Sequence, residues 1–385
     1  MGSSRGPYRT GRERAVRILD AAHVLFIENG YRATSLRDIA AASGISHPAL
    51  LRHFGSREEI LTALIERLDG VHDDWPEEGA DATPAAAADI ARRNETIPGW
   101  IGLFTALLGE ATSPEHPGHA LMRRRRAAGM ALATRLLLPY SADERSASLE
   151  ALRFGAFWDG LQILSLYFPG EIDIPGQIAA YEAELERGGT PEAPAETGGQ
   201  EDAEPTFPAI EPESRRRALE AAARRYARQG YHEASMQSVA DDAGLTKAAL
   251  VHIARTKRDL LDAVLTEVID TPGQEGEDPA RWLYSLPQRP RWVTAADVVL
   301  MCEATVPAHP AHAFMTRRLS EARRGATSAL AATGLPPARA ASEADRIVSI
   351  ALGVAVSWLY DPDHVDPRAL LDGALAHLPT SARSR

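Results

Sequence analysis

Cysteine and lysine are almost missing from this chain: one cysteine, Cys302, and two lysines, Lys247 and Lys257, in 385 residues. A single cysteine excludes an internal disulfide and suits a reducing compartment, so a cytoplasmic location is expected. No run approaches the roughly 18 uninterrupted apolar residues of a membrane helix, so no membrane contact is expected. Residues 1–17 are polar and basic, and no signal peptide is expected there. Strand-like alternation is scarce and aromatics are 6% of the chain, whereas Ala, Leu and Arg recur at helical spacing. The expected fold class is all-α. With 44% apolar residues the chain can build packed cores, and it is too long for one ordinary domain. No nucleophile–base pair or phosphate-binding loop is present, so neither catalysis nor a cofactor is expected.

The net charge of −11 argues at first against a nucleic-acid partner. Its distribution reverses that. Residues 1–60 hold nine Arg against six Asp and Glu, and residues 213–260 hold ten Lys and Arg against six. Local basic faces of this kind are what phosphate binding requires. The acid gathers elsewhere, above all in 188–213, which has seven Asp and Glu, no Lys or Arg, and many Pro and Gly. That segment reads as a linker, able to span on the order of 80 Å when extended at ~3.3 Å per residue.

The stretch from Ser35 to Ile60 organises the rest. Ser35 can cap a helix, with Asp38 at capping-box spacing, and Ile39 and Ala40 give that helix an inner face. Gly44 supplies a turn. Ser46 can cap a second helix with Pro48 in its first turn, and Ser56 with Glu59 repeats the capping spacing before a third. Helix, glycine turn, helix is the layout that places a recognition helix in the major groove. Ahead of it, Ile18, Leu19, Ala22, Leu25 and Phe26 are spaced for one buried helical face, ended by Asn29-Gly30. Together these residues resemble the DNA-binding domain of the TetR family of bacterial repressors.

The pattern occurs twice. A shift of 200 carries Gly30-Tyr31 to Gly230-Tyr231, Ser35 to Ser235, Gly44 to Gly244, Ser46 to Thr246, Ala49-Leu50 to Ala249-Leu250 and Ser56/Glu59 to Thr256/Asp259. A shift of 193 carries Glu110-Ala111-Thr112 to Glu303-Ala304-Thr305, His116-Pro117 to His309-Pro310, and Gly160 through Tyr167 to Gly353 through Tyr360. Two long registers in order indicate a tandem duplication. The expected domains are a helix-turn-helix unit at 1–56, a helical sensor at 57–187, the linker at 188–213, a second helix-turn-helix unit at 214–256 and a second sensor at 257–385. Residues 1–14, with Arg5, Arg9, Arg12 and Arg14, are read as a polar arm, either a loose terminus or a contact to DNA.

For DNA contact the layout points to Ser46, His47, Leu51, Arg52 and His53 on the first recognition helix. Arg52 is the candidate for a bidentate contact to guanine or for phosphate. Thr34, Ser35, Arg37 and Arg57 stand where helix N-termini and flanks would meet phosphates. The second unit offers Ser235, Thr246, Lys247, Val251, His252 and Lys257. Because the two sets differ, an operator of two unlike half-sites is expected. Departures from the family pattern are Leu51 and Val251 in place of the common Tyr, and Ile253-Ala254 where the first unit has His53-Phe54. Ala254 predicts a smaller core there unless Ile253 swings in.

The resemblance implies a small-molecule effector, for which Trp100, Phe104, Trp158 and Gln162 in one sensor and Trp282, Trp292 and Trp358 in the other could line a pocket. Ordinary core packing accounts for them equally well. The repeated Glu110/His116/His119 and Glu303/His309/His312 read as a helix end and proline turn in preference to a metal site. The apolar runs 154–168 and 347–360 are the expected interface, where family dimers build a four-helix bundle. Covalent linkage would let one chain supply both sides as a pseudo-dimer. A homodimer reading DNA through its first unit alone, or a module that no longer binds DNA, remains open at this stage.

Overall fold

A computed structural model describes residues 7–29, 31, 34–70, 86–188, 209–270 and 289–376. Every regular element among the described residues is a helix, with no strand among them. The first half runs α1 (Pro7–Asn29), α2 (Leu36–Ala42), α3 (His47–Leu50), α4 (Arg57–Gly70), α5 (Ala86–Thr96), α6 (Trp100–Glu110), α7 (His119–Leu137), α8 (Glu144–Tyr167) and α9 (Ile174–Gly188). The second runs α10 (Glu213–Glu233), α11 (Met236–Asp242), α12 (Lys247–Ile253) and α13 (Lys257–Val264), which passes into a π-helical turn at Leu265–Ile269. It ends with α14 (Arg291–Glu303), α15 (His312–Ala332), α16 (Pro337–Tyr360) and α17 (Pro367–Ala376). No described helix is long and apolar enough to cross a membrane.

Two expectations change. The segment read as an arm is helical from Pro7 onward. Proline is tolerated at a first helical position, and the buried Ile18, Leu19, Ala22 and Phe26 anchor the helix that extends back from them. The helix after the second reader does not continue as a plain α-helix to 270. Its last turn widens where the Arg289 guanidinium takes the Val268 and Ile269 carbonyls, while Arg215 pairs with Glu267 on the same turn. Most of the acidic 188–213 segment, and the helix expected near 279–286, lie outside the described residues.

The halves meet along α8 and α16, two 24-residue helices packed against each other. Gly160 and Gly353 make the crossing possible. A Cβ at Gly160 would overlap the Ser349 carbonyl, and one at Gly353 the Ala156 carbonyl. Both contacts map onto each other under the 193-residue shift, so they are two views of one pseudo-symmetric contact. The same relation holds around them. Tyr167 Oη donates to Met301 O at 2.6 Å and Tyr360 Oη to Leu108 O at 2.9 Å. The Tyr167 ring stacks on His312 at 5.5 Å, and Tyr360 on His119 at 5.8 Å. Arg153 of α8 reaches Leu370 O of α17 at 3.1 Å, and its mate Arg346 of α16 pairs with Glu184 of α9 at 2.9 Å. Gly109 of α6 lies against Cys302 of α14, its own counterpart.

Candidate nucleic-acid interface

Each helix-turn-helix is held by its caps. The Ser35 hydroxyl accepts the Asp38 N–H at 3.2 Å while the Asp38 carboxylate accepts the Ser35 N–H at 3.0 Å, and Ser235 with Ser238 repeats the exchange. Gly44 and Gly244 make the turns at φ +69° and +64°, where a side chain would be strained. Ser46 Oγ and Thr246 Oγ1 then cap the recognition helices by accepting the Ala49 and Ala249 N–H groups. Ile39, Ala40 and Leu50, with Val239, Ala240 and Leu250, point inward. The second unit closes its core differently, as Ile253-Ala254 predicts. Its recognition helix runs on to Ile253, which packs partly buried, and Ala254 is buried. Phe54 is packed partly buried in the first unit.

This packing turns a defined set of side chains outward. Arg37 and Arg52 in the first unit are exposed and their side chains make no hydrogen bond or ion pair among the described residues, as do those of Lys247 and His252 in the second. Leu51 and Val251 are exposed at 43% and 38%, unusual for branched apolar residues beside a polar face, and suited to contact with thymine methyl groups. Ser35, Ser46, Ser235 and Thr246 are exposed helix caps, with His47 and His53 half-buried beside them. Arg255 is exposed and unengaged too, in the turn after α12. Sequence reasoning passed over it because its counterpart is Gly55, so the repeat offers no matching charge.

Three of the expected DNA contacts are engaged within the protein. Thr34 is buried, its hydroxyl donating to Leu25 O at 3.3 Å. Arg57 is turned inward over the Tyr31 ring, 5.0 Å from its centre, and pairs with Glu58 at 3.4 Å and Glu233 at 2.8 Å. Lys257 lies over the Tyr231 ring at 4.4 Å and donates to His232 O at 2.8 Å. Arg57 and Lys257 are thus held against tyrosine ring faces by carboxylates or a carbonyl, while Thr34 is bonded inside its own unit.

The surroundings of Tyr31 and Tyr231 also explain the repeated Glu/His motif. Glu110 ends α6 and takes the Tyr31 hydroxyl at 3.2 Å, with His116 Nε2 at 3.4 Å. Glu303 ends α14 and accepts the backbone N–H groups of Tyr231 at 2.7 Å and His232 at 3.3 Å. A buried carboxylate at the end of α6 or α14 therefore grips the chain just ahead of the helix-turn-helix of each unit. His232, Glu303 and His309 approach within 4.8 Å of one another, a spacing a metal could bridge. The ring chemistry favours hydrogen bonds. His309 Nδ1 accepts the Ala311 N–H at 3.1 Å, and His116 Nδ1 the Gly118 N–H at 3.0 Å. In the neutral ring the proton then sits on Nε2, facing the glutamate, with no lone pair for an ion there. His119 and His312 instead donate from Nδ1 to Ala111 O and Ala304 O, tying the turn together.

Among the described residues, the expected effector residues pack against different neighbours. Trp100 is buried and stacks on Phe104 at 5.6 Å, under the Arg125 guanidinium, whose pKa burial pushes down to about 10. Trp158 packs edge-on to Phe154, and Trp292 lies under Arg224 at 4.4 Å. Trp358 packs partly buried, Gln162 is buried, and Trp282 lies outside the described residues. A cavity of about 10 Å³, room for one water, is lined instead by Thr294, Asp297, Met301 and Cys302 of α14 with Ile163 and Ala355 at the contact of the halves. In the first half Phe104 stands at the position of Asp297.

Comparison with known proteins agrees with these units. The sequence profile described as bacterial regulatory proteins, tetR family, matches residues 18–64 and again 218–264. The transcriptional repressor Rv3405c of Mycobacterium tuberculosis is 48% identical over 60 residues, 15% of this chain and 32% of that protein. The repressor KstR2 of Rhodococcus jostii is 38% identical over 88 residues, 22% of this chain and 43% of that one. The activator FasR of Mycolicibacterium smegmatis is 36% identical over 66 residues, 17% and 30% respectively. The chain thus spans between about a third and less than half the length of these relatives. With caps, glycine turn and inward face reproduced at both matched places, the chain carries the helix-turn-helix unit of the tetR family of bacterial regulatory proteins twice, at 18–64 and at 218–264.

Proposed function

We propose that the chain is a ligand-responsive DNA-binding transcriptional regulator that represses by occupying an operator as an intrachain pseudo-dimer. The observation that carries this reading is the reciprocal packing of Gly160 on Ser349 and Gly353 on Ala156, which joins the halves inside one chain. One chain then presents both recognition helices. Groove geometry requires such helices to sit about 34–36 Å apart to enter successive major grooves. The exposed sets differ, Arg52 and Leu51 against Lys247, Val251 and His252, so the two half-sites differ as well. Relatives named as repressors and regulators support transcriptional control, and FasR, named as an activator, makes the sign of control part of the test.

An effector acts only through a difference in affinity between two conformations. In this reading it shifts α6 or α14, and through Glu110 or Glu303 the entry to the reader. Hydroxyl-radical footprinting on the DNA flanking the coding sequence tests the proposal. A protected site of two unlike halves, lost on raising salt, is expected. A site symmetric about a dyad would favour a homodimer reading through one unit, and no protection at low salt would refute DNA binding there.

A further inference from the structure

We infer that Arg57 and Glu233 brace the two DNA-binding units against each other, and that this brace sets the separation of the half-sites the chain accepts. The inference rests on the DNA-binding reading above for its consequence, though not for its geometry. Arg57 opens α4 of the first unit. Glu233 ends α10 of the second, two residues ahead of the Ser235 cap. Their side chains meet at 2.8 Å across the seam between the units.

An exposed ion pair usually contributes little, because two long side chains must be ordered to make it. Arg57 is already ordered. Its side chain is 13% exposed, its guanidinium lies over Tyr31, and Glu58 holds it from the other side. The pair also closes a continuous path. Glu110 of the first sensor holds Tyr31, Tyr31 carries Arg57, and Arg57 reaches Glu233. The residues just before Glu233 are held by Glu303 of the second sensor through the N–H groups of Tyr231 and His232. Each end of the ion pair is therefore pinned to its own sensor, and the sensors are fixed to each other where Gly109 meets Cys302.

The brace is one-sided. The 200-residue shift carries Arg57 to Lys257 but carries Glu233 back to Ala33, which has no carboxylate. Lys257 turns to His232 O of its own unit instead. In a symmetric dimer such a contact would occur twice or not at all. A single chain can hold it once, fixing the spacing of two readers that are free to diverge in sequence.

Spin labels at Ala41→Cys and Asp241→Cys, both exposed on α2 and α11, measure the separation of the units by pulsed dipolar spectroscopy without DNA. Native Cys302 is 1% exposed and stays unlabelled. A narrow distance distribution is expected, broadened by Glu233→Gln and further by Glu233→Arg. Salt of about 1 M, which screens beyond ~3 Å, should broaden the unsubstituted pair and leave Glu233→Gln unchanged. Identical distributions in all three proteins would overturn the brace. On DNA, moving the half-sites apart by about two base pairs should penalise binding, and Glu233→Gln should shrink that penalty by about threefold to fivefold. An unchanged penalty would overturn the operator-spacing role. Loss of all DNA binding would sink the proposed function, while the distance measurement would still judge the brace.

Discussion

Alanine at Gly160 tests how the halves are joined, because the same change five residues earlier on the same helix should have the opposite sign. In a helix interior alanine is favoured over glycine by about 1 kcal/mol. At Gly155 a new Cβ meets nothing within 4 Å, so Gly155→Ala should stabilise by about 0.5–1 kcal/mol. At Gly160 the new Cβ would overlap the Ser349 carbonyl, which is backbone of the opposing helix and cannot rotate away. α8 and α16 would have to separate, loosening the contacts of Phe157, Leu161, Leu164, Ile350 and Val354, all buried. Overpacking of this kind costs about 1–3 kcal/mol, and more where backbone must move. The net loss is expected near 1–2 kcal/mol, lowering Tm by roughly 1–3 °C. Gly353→Ala meets Ala156 O in the same way and should cost a similar amount. Since both substitutions open one crossing, the double variant should lose less than the sum. Scanning calorimetry of the variants gives the answer. A Tm raised by Gly160→Ala as much as by Gly155→Ala would refute the close approach on which the pseudo-dimer rests.

Other consequences follow from the same contacts. Arg52→Ala should weaken operator binding by about 1–3 kcal/mol and relax the preference at one base pair, whereas Lys247→Ala should weaken all sequences alike and lower the salt slope by about one; anisotropy titrations over a panel of single-base variants separate the two, and equal losses at every base for both would contradict the assignment. Glu303→Ala leaves the Tyr231 and His232 N–H groups without their acceptor, so hydrogen exchange should rise selectively over 230–242, with a stability loss of about 1–3 kcal/mol. Burial of Glu182 beside the start of α5 pushes its pKa up to about 7. The folded state then holds this proton more tightly than the unfolded chain, so stability is highest below the unfolded carboxyl range and falls as pH rises through about 7. Glu182→Gln should flatten that decline in thermal melts between pH 5 and 8, and an unchanged slope would count against it.

Much of the fold was legible because local rules and the long pattern agreed. Ser35, Gly44, Ser46 and their counterparts 200 residues on specify caps and turns by chemistry that acts within three or four residues. The interface was legible as the apolar runs 154–168 and 347–360, and the repeated Gly160 and Gly353 lie at its centre. What the sequence hid is non-local. Arg57 and Lys257 read as DNA contacts, but Tyr31 and Tyr231 offer ring faces that hold them within the protein. Glu110 and Glu303 read as helix ends, since nothing nearby in sequence shows that each meets residues about 70–80 positions away. The tryptophans expected to line an effector pocket are hard to read for a related reason. Large aromatics fill cores as readily as they line pockets, and Trp100 is filled in by Phe104 and Arg125.

The mass of the protein–operator complex tests the central claim most directly. Light scattering on the purified complex, at protein in slight excess over a minimal operator, should give one 41.6 kDa chain per DNA duplex. Two chains on a minimal symmetric site would contradict the account, since each chain would then be contributing one reader where the proposed function requires two.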